Sequence, residues 1–369
     1  MISELALRIH RDLPVVDGHN DLPWKIRTEA GGDLDKANPS SHLPDFHTDI
    51  PRMIEGGVGG QFWSVYVPCG IDSPLSATLA QIDLVERFTS GDERTQLVRT
   101  AAEARALIAT GQIASLLGAE GGHSIEGSIA NLQVLADRGV RYMTLTHSDN
   151  TEWADSATDE PVHGGLNSFG ADVVREMNRL GILVDLSHVS ADTMRHALDI
   201  SATPVIASHS NARALAPHPR NIPDDVLREI GDQGGVVMVV FFSGFVVAET
   251  ALQMTEMFDQ MRQLRAELEG DEEAFAAEWD RRNTELDYDR GTVAGVADHI
   301  DYIAEIAGVQ SVGLGSDFDG TPTTPVGLED VSCFPAITDE LLHRGWSEAN
   351  VRKVLGENAL RVLEVATEV

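Results

Sequence analysis

The sequence predicts an α/β protein of the (β/α)8 TIM-barrel class, a single domain over residues 1–369 with a helical insertion ahead of the eighth strand. Three observations predict it. Eight short apolar or β-branched runs recur along the chain, amphipathic segments separate them, and ionisable residues collect where the runs end. Short continuous apolar runs suit strands buried on both faces, as in a parallel sheet.

In chain order the runs are LPVVDGH at 13–19, QFWSVYV at 61–67, IASLLGAE at 113–120, RYMTLTH at 141–147, GILVDLSH at 181–188, PVIASH at 204–209, GVVMVVFF at 235–242 and SVGLGSD at 311–317. Between them lie helical patterns. In NSFGADVVREMNRLG, Val173, Val174, Met177 and Leu180 share one face and Gly181 is placed to end the helix. In SADTMRHALDI, Ser190 is placed as the cap, with Met194, Ala197 and Leu198 facing inward. The stretch from about 248 to 286 reads as two charged helices broken near Gly270, an insertion that covers the site, makes a subunit contact or decorates the surface. After Asp317 the segment SEANVRKVLGENALRVLEV starts from Ser347 as a cap and closes the fold as helix. No repeat and no Pro/Gly/Ser-rich linker divides the chain.

Composition narrows the function. Hydrophobic residues are 42% of the chain and charged ones 23%, as in a globular protein with a sizeable core. Lys plus Arg total 27 against 59 for Asp plus Glu, a formal net charge of −32 that argues against nucleic acid as a partner. Cys69 and Cys333 are too few for a disulfide framework, which fits a reducing compartment. The first residues lack the apolar core of a secretory signal, and no stretch has the length of a membrane span. A soluble, cytoplasmic protein without a membrane partner is expected.

An open, doubly wound sheet can be written with the same alternation, and the ionisable residues decide against it. His19 and Asp21 follow the first run, Glu120 ends the third, His147 the fourth, His188 the fifth, His209 the sixth and Asp317 the eighth. In a barrel these carboxyl ends converge on one face. One histidine beside an apolar run is ordinarily structural, but so many buried ionisable groups together need cations to neutralise the carboxylates and accept the imidazole lone pairs. The spacing gives His19 and Asp21 to one ion, His188 and His209 to a second, and Glu120 as the bridge. Imidazole and carboxylate ligands without thiolate suit zinc, with manganese, cobalt and iron as alternatives. A water shared by two such ions becomes a hydroxide nucleophile near neutral pH.

The segments VVDGHNDLPW, LLGAEGGHSIEG, RYMTLTHSDNTEWADS, VDLSHVS, SHSNARAL, RNIPDDVL and GLGSDFDG resemble, in order and over nearly the whole chain, the signature segments of the membrane (renal) dipeptidase family of the metal-dependent amidohydrolase superfamily. The resemblance implies a (β/α)8 barrel that binds two Zn2+ per subunit through the same ligands and hydrolyses dipeptides, L-Xaa-D-Xaa among them. It further implies that His147 polarises the scissile carbonyl, that Asp317 is the acid/base, and that Arg220 receives the terminal carboxylate of the substrate. Asp319 reads as a structural or supporting residue in a tight turn. A homodimer is compatible with this reading.

The chain also departs from the family. Asp149 stands where secreted relatives carry a disulfide cysteine, which leaves Cys69 free, and Phe242 stands where a tyrosine is expected. Two alternatives stay open from sequence. One is a superfamily hydrolase acting on N-acyl-D-amino acids, cyclic amides or lactones, and the other is a non-catalytic metal-binding barrel.

Overall fold

A computed structural model describes residues 2–268, 274, 278, 281 and 288–368. Nine parallel strands form one sheet: β1 (Val15–Asn20), β2 (Val58–Ser64), β3 (Thr95–Leu97), β4 (Ile113–Glu120), β5 (Val140–Thr144), β6 (Leu183–Asp185), β7 (Ile206–Ala207), β8 (Val236–Val239) and β9 (Val312–Leu314). Eight of them close a barrel in the order β1-β2-β4-β5-β6-β7-β8-β9, with the seam at Asp17 opposite Leu314. The ninth, β3, lies outside this ring. It pairs with the start of β4, Thr95 opposite Ile113, on the edge that β5 takes over from Leu117 onward.

All eight predicted runs are barrel strands, with one displaced start. The second run was expected at 61–67 and the strand runs from Val58 to Ser64. Its first turn of sequence, VGG, carries no strand signal because the glycines answer a packing demand. A Cβ on Gly59 would lie 2.5 Å from Pro14 Cβ, and one on Gly60 3.1 Å from Val16. Nothing in TQL, short and half-polar, marks β3.

The helices follow their caps. Ser190 Oγ accepts from the backbone N–H of Thr193, Ser347 Oγ from that of Asn350, and Gly181 ends the helix Ser168–Leu180 in the left-handed conformation. The final segment is not one continuous helix. Glu348–Arg352 passes through a widened turn at Lys353–Glu357 before Asn358–Thr367, because Gly356 presses on β1, where a Cβ would sit 2.7 Å from Val16 Cγ2. Of the predicted insertion, Ala248–Glu267 is helical, and most of the remainder lies outside the described residues. This helix sits beside the site: Met254 packs with Phe242 and Phe245, and Arg262 Nη1 donates to the carbonyl of Thr158 at 2.6 Å. No helix among the described residues is long and apolar enough to cross a membrane.

Two packed regions position the site. The outer one lies between strands and helices. The inner one fills the barrel with Val16, Phe62, Leu116, Tyr142, Leu183, Ile206, Val236 and Met238, and is sealed below by Leu360, Leu363 and Ala366 of the last helix. The floor is therefore apolar and closed, and polar side chains enter the barrel only above it.

The chain carries a formal net charge of −32, most of it on the surface, so self-repulsion weighs against the compact state. The screening length falls from roughly 30 Å at about 0.01 M salt to roughly 3 Å at about 1 M. The melting temperature should therefore rise across a KCl series over that range. A flat or falling Tm would show that local ion pairs, not net charge, govern its stability.

Candidate metal centre

Alternation along β4 turns Ala114 and Leu116 into the barrel, followed by Gly118 and then Glu120 at the strand's end. His19 is on β1, and Asp21 opens the helix Leu22–Ala30. His147, His188, His209 and Asp317 follow β5, β6, β7 and β9. His188 and Asp317 hold left-handed backbones, with φ of 67° and 63°. Such strain costs roughly 1–3 kcal/mol per residue and persists only where the surroundings impose it.

The predicted ligands converge on Glu120, which is 5% exposed. Its Oε2 lies 3.4 Å from His19 Nε2 and 3.0 Å from Ser64 Oγ, while its Oε1 lies 3.1, 3.4 and 3.7 Å from Nε2 of His188, His209 and His147. Asp21 Oδ2 is 3.2 Å from His19 Nε2, and the Nε2 atoms of His188 and His209 are 2.9 Å apart. Three ligating triads result: His19, Glu120 and His209; Glu120, His147 and His188; His19, Asp21 and Asp317. One carboxylate thus faces two neighbouring binding positions, one oxygen to each side.

A layer of polar groups below these ligands orients them. Asp185, on β6, accepts four hydrogen bonds: from Thr144 Oγ1 and Ser208 Oγ, each at 2.6 Å, from the Ser208 N–H at 2.8 Å and from the Ser187 N–H at 3.1 Å. Ser208 Oγ also lies 2.8 Å from His209 Nδ1. Its one proton goes to the carboxylate, so the imidazole must be the donor, and His209 keeps its Nε2 lone pair for the centre. On the other side the Tyr142 hydroxyl meets His19 Nδ1 at 2.7 Å. Gly118 makes room for that ring, since a Cβ there would lie 2.0 Å from Tyr142 Cζ. Asp17 takes hydrogen bonds from Ser316 and Gln61, yet burial still pushes its pKa up to about 6.

The electrostatics suit cations. Burial pushes the pKa values of His188 and His209 well below the usual histidine range, with Arg220 adding to the effect, so both rings are neutral donors. Burial opposes the charge on Glu120, but His19 and its other histidine neighbours outweigh it and hold the carboxyl ionised. Asp21 Oδ1 is buried without a hydrogen-bond partner. Neutral imidazoles aimed at one another across 2.9 Å, a bridging carboxylate and an orphaned carboxylate oxygen are a donor set that fits divalent metal.

Above the ligands is a cavity of about 400 Å³, reached by Asp21, Trp24, Lys25, Tyr66, His147 and Asp317 among others. Burial raises the pKa of Asp317 well above the usual carboxylate range, and Asp21 and Glu120 add to it, against the pull of His19 and Arg220. Arg220 is 2% exposed and is not one of the residues lining this cavity; among the described residues its Nη atoms make only long contacts, 3.4 Å each, to Ser210 Oγ and the His209 carbonyl, and its Nε has no hydrogen-bond partner. Burial lowers its pKa to about 10, which leaves it charged at neutral pH. Phe245 stacks beneath the guanidinium at 5.2 Å, and Phe242 packs on Phe245. Asp319 locks the floor of a loop, accepting from the His47 N–H at 2.8 Å while its own N–H donates to His47 Nδ1. Cys69 is free and lies 3.7 Å from His123 Nδ1.

Sequence reasoning missed Tyr142, Asp185 and Ser208. Asp185 had a signal, a charged residue inside the apolar run GILVDLSH, where only a buried partner explains it.

The profile of the membrane dipeptidase family (peptidase family M19) matches residues 3–369. Dipeptidase verJ of Clonostachys rogersoniana is 39% identical over 381 residues, covering 99% of this chain and 87% of that protein. A metallopeptidase from Rhodobacter sphaeroides, solved with a phosphinate mimic of the dipeptide L-Ala-D-Ala, is 26% identical with a TM-score of 0.78, covering 96% of this chain and 99% of that one. The probable dipeptidase PvdM from Pseudomonas aeruginosa shares the fold, with a TM-score of 0.82 at 23% identity, covering 99% and 98% of the two chains.

If Asp185 sets the tautomer of His209 through Ser208, then Ser208→Ala should weaken metal binding by roughly ten- to a hundredfold in chelator competition. Ser208→Thr, which keeps the hydroxyl, should restore most of it. Unchanged affinity in the alanine variant would remove Ser208 from the centre's support.

Proposed function

The chain belongs to the membrane dipeptidase family, and we propose that it hydrolyses the peptide bond of dipeptides, L-Xaa-D-Xaa included, with two zinc ions as its cofactor. The observation that carries this reading is Glu120, a buried carboxylate touched on both sides by imidazoles directly beneath a cavity that Asp317 overlooks. His19 and Asp21 would hold one ion, His188 and His209 the other, with Glu120 shared. When bound, the metal supplies Lewis acidity that polarises the scissile carbonyl and makes water nucleophilic near neutral pH.

The chain's own groups do the rest. Ser148 Oγ lies 2.9 Å from His147 Nδ1, and burial keeps the imidazole neutral, so with the serine donating, Nε2–H faces the cavity. That N–H is placed to hydrogen-bond the carbonyl oxygen as it gains charge. Asp317, its proton affinity raised by burial, takes the proton of the attacking water and returns it to the departing amine. Arg220 offers an under-used guanidinium to the terminal carboxylate, in bidentate form. Its guanidinium is buried, 2% exposed, so the carboxylate meets it only once it is uncovered. A site that recognises a free carboxylate one residue beyond the scissile bond favours dipeptides over longer chains. The free thiols of Cys69 and Cys333 support a cytoplasmic location for this activity.

Metal-loaded enzyme assayed on mixed dipeptides, tripeptides and N-acyl amino acids should turn over the dipeptides best. Turnover of N-acyl amino acids alone would overturn the proposal. Asp317→Asn should retain metal by elemental analysis while losing about two to four orders of magnitude in kcat. Wild-type kcat in that variant would refute the acid/base role.

A further inference from the structure

One wall of the cavity, on the β1–β2 side, carries Trp24, Lys25 and Tyr66. In the ring β1-β2-β4-β5-β6-β7-β8-β9, β7 lies across the barrel axis from β2, and Arg220 is in the segment that follows β7. A dipeptide with its carboxylate at Arg220 and its scissile bond over Glu120 therefore sends its amino-terminal residue toward Trp24, Lys25 and Tyr66.

Among the described residues, Lys25 is the one lysine or arginine on that cavity's wall; every other charged side chain described there is a carboxylate or a histidine. The chain's lysines are Lys25, Lys36 and Lys353, so a cation at this spot is not what the average composition supplies. Its ion pair among the described residues is with Glu29, one helical turn on, at 3.3 Å, with side chains 33% and 56% exposed. Such a pair contributes little, so a substrate carboxylate can replace Glu29 at small cost. Beside the ammonium, Trp24 meets Tyr66 edge-on at 5.2 Å, and Tyr66 lies against the His147 ring at 4.7 Å. This packed aromatic surface can carry the methylenes of a side chain that ends at Lys25.

We infer that Lys25 selects dipeptides whose amino-terminal residue bears a carboxylate side chain, Glu-Xaa and Asp-Xaa over their amide isosteres. The inference rests on the dipeptidase reading and on Arg220 as the carboxylate anchor. The amide isostere keeps shape and hydrogen bonding, so the comparison isolates charge.

The test measures kcat/KM for L-Glu-Ala against L-Gln-Ala, with both L- and D-Ala in second place. At low salt the acidic substrate should lead by about fivefold, the upper range for a partly exposed ion pair, and the lead should shrink as KCl approaches about 1 M. Lys25→Met should bring the ratio to unity, and Lys25→Glu should turn it below unity, each variant checked for the wild-type circular dichroism spectrum. A wild-type ratio of unity, or a ratio that persists in Lys25→Met, would overturn the inference and leave the dipeptidase reading intact. Absence of turnover on every dipeptide would instead overturn that reading, and this inference with it.

Discussion

The open end of the barrel depends on one carboxylate placed where a carboxylate alone would not stay charged. Glu120 is all but sealed from solvent, and desolvating an ion costs several kcal/mol even after the protein relaxes. Four histidines from β1 and from the ends of β5, β6 and β7 lie within 3.7 Å of it, and His19 contributes most to offsetting the cost. Each of those elements must therefore end at the same height, which a closed parallel barrel guarantees and an open sheet does not.

From that constraint follows the layering below. The barrel interior runs from an apolar floor, plugged by the last helix, through a polar layer of Asp17, Gln61, Thr144, Asp185 and Ser208, to the metal-side ligands. Polar groups in the middle layer would be a liability unless paired, and here nearly every donor meets an acceptor. The pairing runs upward: Asp185 holds Ser208, which holds His209, while Gly118 leaves space for Tyr142, which holds His19. Rigidity at the centre is thus assembled from residues that do not line the cavity.

This layering also explains what the sequence did and did not disclose. The candidate ligands that converge on Glu120 were legible because each stands at or just past the end of a hydrophobic run, where a polar residue is out of keeping with its neighbours. Supporting residues such as Tyr142 and Ser208 were not, since a tyrosine or serine inside a strand reads equally well as core or as edge. Whether Ser208 faces inward is settled by its partner across β6 and β7, a contact between residues 23 positions apart. The strand β3 escaped notice for a related reason: its pairing comes from an edge left open by the stagger of β4 and β5, not from its own composition. The kink at Gly356 and the early start of β2 have the same origin, close approach to β1 at positions where only the absence of a side chain is informative.

Strand ends and loops divide the work. The ligands and their supports sit on or immediately after the strands, whose register is fixed by the barrel, so they tolerate little change. Trp24 and Lys25 lie on the helix after β1, Tyr66 on the connection after β2, and Arg220 in the long connection after β7. Phe242 and the helix Ala248–Glu267 back Arg220 through Phe245 and Met254 without reaching the ligands. Trp24, Lys25 and Tyr66 of this outer set line the cavity, while the geometry around Glu120 is left to the strands. Phe242, where the family resemblance leads one to expect a tyrosine, belongs to that outer set, its ring packed edge-on against Phe245.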